Sequence, residues 1–252
     1  MLDRLFGRRR QNRAKPMAPP GTRIYAIGDI HGRADLLTRL HTLIRDDAAG
    51  AASMRKLLIY LGDYVDRGEE SRRVIDMLLD RKLPGFEAVY LCGNHEEMML
   101  AFLDDVTVAM AWMSNGGSET MYSYGVRFGD AVTSEERFVD MQRDFRAAFP
   151  ARHRDFLSAL PAWHAEGDYL FVHAGILPGV PLEQQSREDL LWIRDSFLGS
   201  TTDHGRCVVH GHSIVLEAEV RPNRIAIDTG AYYTNRLTCL VLEGDGQRFL
   251  QT

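Results

Sequence analysis

The sequence predicts an α/β fold of two sheets flanked by helices, and three observations carry that prediction. Three strand–loop–helix units follow one another from Arg23 to Leu103. A second group of strand-like runs lies between residues 168 and 243, with no long helices separating its last three members. A mainly helical stretch, residues 97–160, stands between the two groups. Successive strand–loop–helix units build a sheet that binds ligands at the carboxyl ends of its strands. With 252 residues, 45% of them hydrophobic, the chain can bury one ample core, so a single domain is expected over 21–252.

The elements follow in order. "RIYAI" (23–27) is apolar up to Gly28-Asp29, and Leu36, Leu37, Leu40, Leu43 and Ile44 then recur at helical spacing. "KLLIYL" (56–61) is the second strand, and Val74, Ile75, Leu78 and Leu79 mark the helix after it. "FEAVYLC" (86–92) leads into the third helix, "GNHEEMMLAFL". Residues 97–160 are expected to form a helical cap, interrupted by "SNGGSETMYSYG" (114–125), whose Tyr122 and Tyr124, with the preceding Trp112, are expected to be core aromatics. "DYLFVH" (168–173), "RCVVH" (206–210), "RIAID" (224–228) and "RLTCLVLE" (236–243) are expected to form a largely antiparallel second sheet.

Charge is unevenly spread. Residues 1–20 carry six Lys or Arg against one Asp, so the net −5 of the chain divides into +5 for this stretch and −10 for the rest. The basic stretch ends in prolines and is expected to be a disordered arm. An acidic body repels nucleic acid at long range, so no nucleic-acid partner is expected, and any phosphate site needs concentrated local cations. Cys92, Cys207 and Cys239 form no CxxC pair, which speaks against a disulfide framework or a zinc ribbon. No apolar run approaches the ~20 residues of a membrane span, and no signal-peptide core is present. A cytoplasmic protein without a membrane span is the expectation.

Five strand ends deliver polar residues beside glycine: Asp29 and His31; Asp63, Asp66 and Arg67; Asn94 and His95; His173; His210 and His212. Any one of these alone is most simply a turn, a helix cap or a hydrogen-bonded structural residue. Their coincidence points to a shared site. Carboxylate, imidazole and amide oxygen suit a first-row divalent ion such as Mn, Fe or Zn. Asp29, His31, Asp63, Asn94, His173 and His212 are too many for one ion and suit two, about 3.5–4 Å apart, if a carboxylate bridges them.

In order along the chain, "GDIHG" (28–32), "GDYVDRG" (62–68), "GNHE" (93–96), "HAG" (173–175) and "GHS" (211–213) resemble the signatures of the phosphoprotein phosphatase group of calcineurin-like metallophosphoesterases. The likeness runs from about residue 23 to 245 and is closest to the bacterial and lambda-phage-type members. It implies a four-layer αββα metallophosphoesterase sandwich. By matching positions, it implies that Asp29 and His31 hold the first metal, that Asp63 bridges, and that Asn94, His173 and His212 hold the second. Mn²⁺ is the expected ion at both sites, with Fe or Zn compatible. Arg67 resembles a phosphate clamp, and Arg194 in "LLWIRDSF" (190–197) resembles, more loosely, a second one. Asp66 is expected to orient His95, whereas His210 matches no ligand and is expected to support its strand end.

The resemblance implies direct hydrolysis of a phosphate monoester by a hydroxide bridging the two metals, with His95 as general acid and no phosphoenzyme. Cys92 is expected to pack in its strand. The expected substrate is a phosphoserine or phosphothreonine protein, with phosphotyrosine accepted by some members of the group. A symmetrical diadenosine tetraphosphate hydrolase is the alternative. A phosphate-dependent binding module without turnover is the alternative of another class. Where eukaryotic members read close to "SAPNYC", this chain has "DTGAYYTNRLT" (228–238).

Overall fold

The computed structural model describes residues 15–80, 83–128 and 135–252. Residues 1–14 of the expected arm therefore lie outside the described residues. The first half runs β1 (Thr22–Ile27), α1 (Ala34–Ala48), β2 (Arg55–Tyr60), α2 (Ser71–Asp80), β3 (Glu87–Tyr90) and α3 (Asn94–Asp104). Four helices follow: α4 (Ala109–Met113), α5 (Gly117–Ser123), α6 (Glu135–Ala148) and α7 (Ala151–Ser158). The second half runs β4 (Trp163–Glu166), β5 (Tyr169–Val172), α8 (Arg187–Trp192), α9 (Asp195–Leu198), β6 (Cys207–His210), β7 (Glu219–Val220), β8 (Arg224–Ala226), α10 (Ala231–Thr234), β9 (Thr238–Glu243) and β10 (Gly246–Gln251).

The strands form two mixed five-stranded sheets, ordered β10-β9-β1-β2-β3 and β4-β5-β6-β8-β7. Period-2 alternation assigns their side chains to layers. Ile24, Ala26, Leu57 and Ile59 from the first sheet meet Phe171, Val209 and Ile225 from the second in a core between the sheets. Their neighbours Tyr25, Ile27, Leu58 and Tyr60 face outward under α1, α2 and the helices after β3. Leu170, Val172 and Val208 face the other way and are covered by Leu190 and Phe197 of α8 and α9. The result is an αββα sandwich.

The strand arrangement differs from the sequence expectation in two places. The second sheet is parallel at its centre, with β5 paired to β6 and β6 to β8 in parallel, and only its edge strands β4 and β7 antiparallel. The crossover from β5 to β6 uses helices of only six and four residues, too short to show helical periodicity. The run 236–243 also leaves the second sheet: β9 pairs antiparallel with β1 in the first. Both its faces are buried, Cys239 and Val241 under the helices and Leu240 and Leu242 between the sheets, so its sequence marks a central strand of either sheet. Leu43, expected in the apolar stripe of α1, is 37% exposed. His41 is buried instead, its Nε2 2.9 Å from the Tyr60 hydroxyl.

Six strands end at one edge of the sandwich: β1, β2 and β3 from one sheet, β5, β6 and β8 from the other. Each is followed by one of the polar loops. Among the described residues no helix is long and apolar enough to cross a membrane.

Candidate active site

The strand-end loops are held in uncommon backbone conformations. Of the described non-glycine residues with positive φ, five lie here: His31 (45°), Asp63 (51°), Asp66 (71°), Arg67 (67°) and His212 (62°). Such conformations persist only where the surroundings over-determine them. Buried Glu96 does much of this. Its Oε2 accepts the N–H groups of Asp63 (2.8 Å) and Gly93 (2.9 Å), and its Oε1 accepts those of Tyr64 (2.7 Å) and Val65 (3.3 Å). Burial, and then the nearby Asp63 charge, push the Glu96 carboxyl up to about 7.

Asp63 is the hub of the cluster. Its Oδ2 lies 3.5 Å from His31 Nε2, 3.4 Å from His173 Nε2 and 3.9 Å from His95 Nε2, while Oδ1 accepts the His95 N–H at 3.1 Å. Two triads share it, His31–Asp63–His95 and Asp63–His173–His212, with the ligand atoms of each within 4.8 Å of one another. Asn94 Oδ1 lies 2.8 Å from His173 Nε2 and 2.9 Å from His212 Nδ1. The Nδ1 atoms of His31 and His173 each face a backbone carbonyl, Val65 O and Leu61 O, at 2.9 Å. A carbonyl only accepts, so both Nδ1 atoms donate, which leaves both Nε2 atoms on the side of Asp63.

The electrostatics of the cluster call for cations. Burial raises the Asp29 carboxyl well above its usual range, and Asp228 adds to the shift. Asp228 is itself pushed up to about 6, chiefly by burial. Burial would raise Asp63 too, but His173 and His95 override it and hold this carboxyl well below its usual range. Burial disfavours a charged His173, yet Asp63 lifts it to about 10. His31 is held well below its ordinary value, and His212 is pushed down to about 3, mainly by burial in both cases.

Four buried side-chain polar atoms among the described residues lack a hydrogen-bond partner, and two of them belong to Asp29 and His212. Asp29 Oδ2 accepts the His212 N–H at 2.9 Å, but Asp29 Oδ1 and His212 Nε2 have no hydrogen bond. Buried polar groups are rarely left so, and bound metal ions would satisfy both. Together with imidazole nitrogens converging on a shared carboxylate, these orphan atoms fit a pair of divalent cations. Gly211 supports Asp29 by lacking a side chain, since a Cβ there would collide with Asp29 Oδ1. Gly211→Ala is therefore expected to weaken metal binding about 10- to 100-fold, read from a metal titration of the stripped protein.

Beside the cluster, His95 Nδ1 lies 2.7 Å from Asp66 Oδ2. Burial opposes a charge on His95, but Asp63 and Asp66 together raise it above its ordinary value. Burial pulls Asp66 upward, against the hydrogen bonds it accepts from His95, Thr120 and Trp112. Arg67 is half-buried. Its Nη1 donates to His31 Nε2 at 2.9 Å and its Cζ lies 5.0 Å from the centre of the Tyr232 ring. Arg194 is exposed, and its charge helps to depress His212. Trp192, two residues before it, stands edge-on to the same imidazole at 6.2 Å between ring centres. His210 is buried outside the cluster, with Nδ1 on Gly211 O at 3.1 Å. Cys92 is buried, accepts a hydrogen bond from Arg187 Nη2 at 3.1 Å, and has its thiol raised chiefly by burial, so it offers no thiolate nucleophile.

Several members of the site escape a reading of the sequence. Asp228 follows β8 as Asp29 follows β1, and "RIAIDTG" carries the same signal of a strand, an Asp and a glycine. Glu96, Thr120, Trp112 and Tyr232 carry no such signal, because their contacts with the site bridge distant parts of the chain.

Residues 22–235 match the family model described as calcineurin-like phosphoesterase. The chain is 30% identical over 226 residues to serine/threonine-protein phosphatase 2 of Salmonella typhimurium, covering 85% of this chain and 90% of that protein. It is 24% identical over 237 residues to the asymmetrical bis(5'-nucleosyl)-tetraphosphatase PrpE of Oceanobacillus iheyensis, covering 86% and 87%. Its fold is similar to that of a cold-active protein-tyrosine phosphatase from a psychrophilic Shewanella, with a TM-score of 0.57 at 16% identity over 94% of this chain and 82% of that one.

Proposed function

The chain belongs to the calcineurin-like phosphoesterase family, and from that premise we propose that it is a Mn²⁺-dependent phosphatase of phosphoserine and phosphothreonine proteins. The observation that carries this is Asp63 set among His31, His173 and His212, next to the His95–Asp66 pair and Arg67. The serine/threonine phosphatase relative favours the protein substrate. The expected location is the cytoplasm, in keeping with three cysteines that form no CxxC pair.

Asp29, His31 and Asp63 would hold one ion, and Asp63, Asn94, His173 and His212 the other. When bound, such ions would supply an acidified water as nucleophile and neutralisation of phosphoryl charge. The chain's own residues do the rest. With the His31 Nε2 lone pair engaged, the guanidinium of Arg67 no longer has its partner and turns to the phosphoryl oxygens, which it can hold through paired hydrogen bonds. Arg194 approaches the same oxygens from the His212 side. Asp66 fixes His95 Nδ1, so the Nε2 proton points to the leaving oxygen and is delivered there.

A second reading, hydrolysis of dinucleoside tetraphosphates, is favoured by the PrpE relative. The test strips the metals, restores Mn²⁺, and compares a phosphoserine/phosphothreonine peptide with diadenosine tetraphosphate. Mn²⁺-dependent release from the peptide with little dinucleotide cleavage is expected. Preferred dinucleotide cleavage would replace the substrate assignment, with two ADP marking symmetrical cleavage and ATP plus AMP asymmetrical. Silence on both would leave a phosphate-dependent binding module.

A further inference from the structure

The interruption in the helical stretch does more than join helices. Between Trp112 and Thr120 the chain wraps around Asp66 and Arg67, consecutive residues both in left-handed backbone. Gly116 O accepts the Arg67 N–H at 3.1 Å. Thr120 Oγ1 donates to Asp66 Oδ1 at 2.6 Å and accepts the Asp66 N–H at 2.8 Å, and Ser71 Oγ lies 3.0 Å from the same hydroxyl. Trp112 Nε1 donates to Asp66 Oδ2 at 2.9 Å, the oxygen that faces His95. Asp66, Thr120 and Trp112 are all fully buried. The indole is fixed from behind by Phe102 and Phe145, with ring centres 4.9 and 5.5 Å away, and from the front by Gly117, where a Cβ would meet its ring.

A carboxylate gripped from both sides cannot rotate about its own axis, and a bond 2.7 Å long passes that constraint to the imidazole. We propose that Trp112 and Thr120 are positioning residues which, through Asp66, aim His95 at the leaving oxygen. This rests on the phosphatase reading with His95 as general acid. In consequence the helical stretch contributes to how the enzyme handles a poor leaving group. A serine alkoxide needs its proton delivered in place, whereas p-nitrophenolate departs without one.

The test measures kcat for Thr120→Val and Trp112→Phe with a phosphoserine peptide and with p-nitrophenyl phosphate. Valine matches the shape of threonine but lacks the hydroxyl, and phenylalanine lacks the indole N–H. Each variant is expected to lose about 10- to 100-fold on the peptide and less than about threefold on the aryl ester, and Thr120→Ser is expected to restore most of the loss. Trp112→Phe, which acts from a different helix, keeps the test decisive if Thr120→Val fails to fold. Equal losses on both substrates, or no loss on either, with an active parent protein would overturn the positioning inference alone. A parent protein that hydrolyses neither substrate would overturn the phosphatase reading, and the inference with it.

Discussion

Asp63→Asn is expected to lower phosphate release by about 10³-fold and to remove both metals at once. One carboxylate stands in both triads, with its Oδ2 3.5 Å from His31 Nε2 and 3.4 Å from His173 Nε2, so its loss strips a negative ligand from each site. Metal ions supply several kcal/mol of charge stabilisation, and each 1.36 kcal/mol is a factor of ten in rate. Metal content after dialysis and turnover with excess Mn²⁺ check this. Retention of one tightly held ion with near-native turnover would show that Asp63 is not shared. The variant should still fold, because Glu96 grips the backbone N–H groups of residues 63–65 and not the side chain at 63.

His95→Ala is expected to leave metal content unchanged and to lower turnover of a phosphoserine peptide by about 10²- to 10⁴-fold, the usual contribution of a general acid. The loss should shrink with p-nitrophenyl phosphate. The pH profile supplies an independent check. His95 is raised above its ordinary value by Asp63 and Asp66, which outweigh burial. A general acid works protonated, so turnover with the peptide should fall as pH rises through the His95 pKa, and this alkaline limb should vanish in His95→Ala. An unchanged profile in the variant would remove His95 from the mechanism.

The fold was legible where local pattern and tertiary environment agree. The three strand–loop–helix units read from Arg23 onward are β1 to α3, because a strand covered on both faces is apolar throughout and a helix covered on one face repeats its apolar residues every three or four positions. Legibility failed where environments coincide. β9 is apolar on both faces, and so would be a central strand of either sheet, so nothing within 236–243 names β1 as its partner. The helices α8 and α9 are too short for periodicity to reveal the crossover that makes the second sheet parallel.

By itself the sequence determined the chemistry on offer at the sandwich edge. Asp29, His31, Asp63, Asn94, His173 and His212 each follow an apolar run, and that local arrangement fixes their type and their place at a strand end. Only the tertiary structure decided that Asp63 faces imidazoles from both sheets, that Asp228 joins Asp29, and that Thr120 and Trp112 grip Asp66 from 54 and 46 residues away. The reason is physical. Side-chain type and strand position are set by neighbours along the chain, whereas a shared carboxylate and a second hydrogen bond to it depend on how distant segments are brought together by packing.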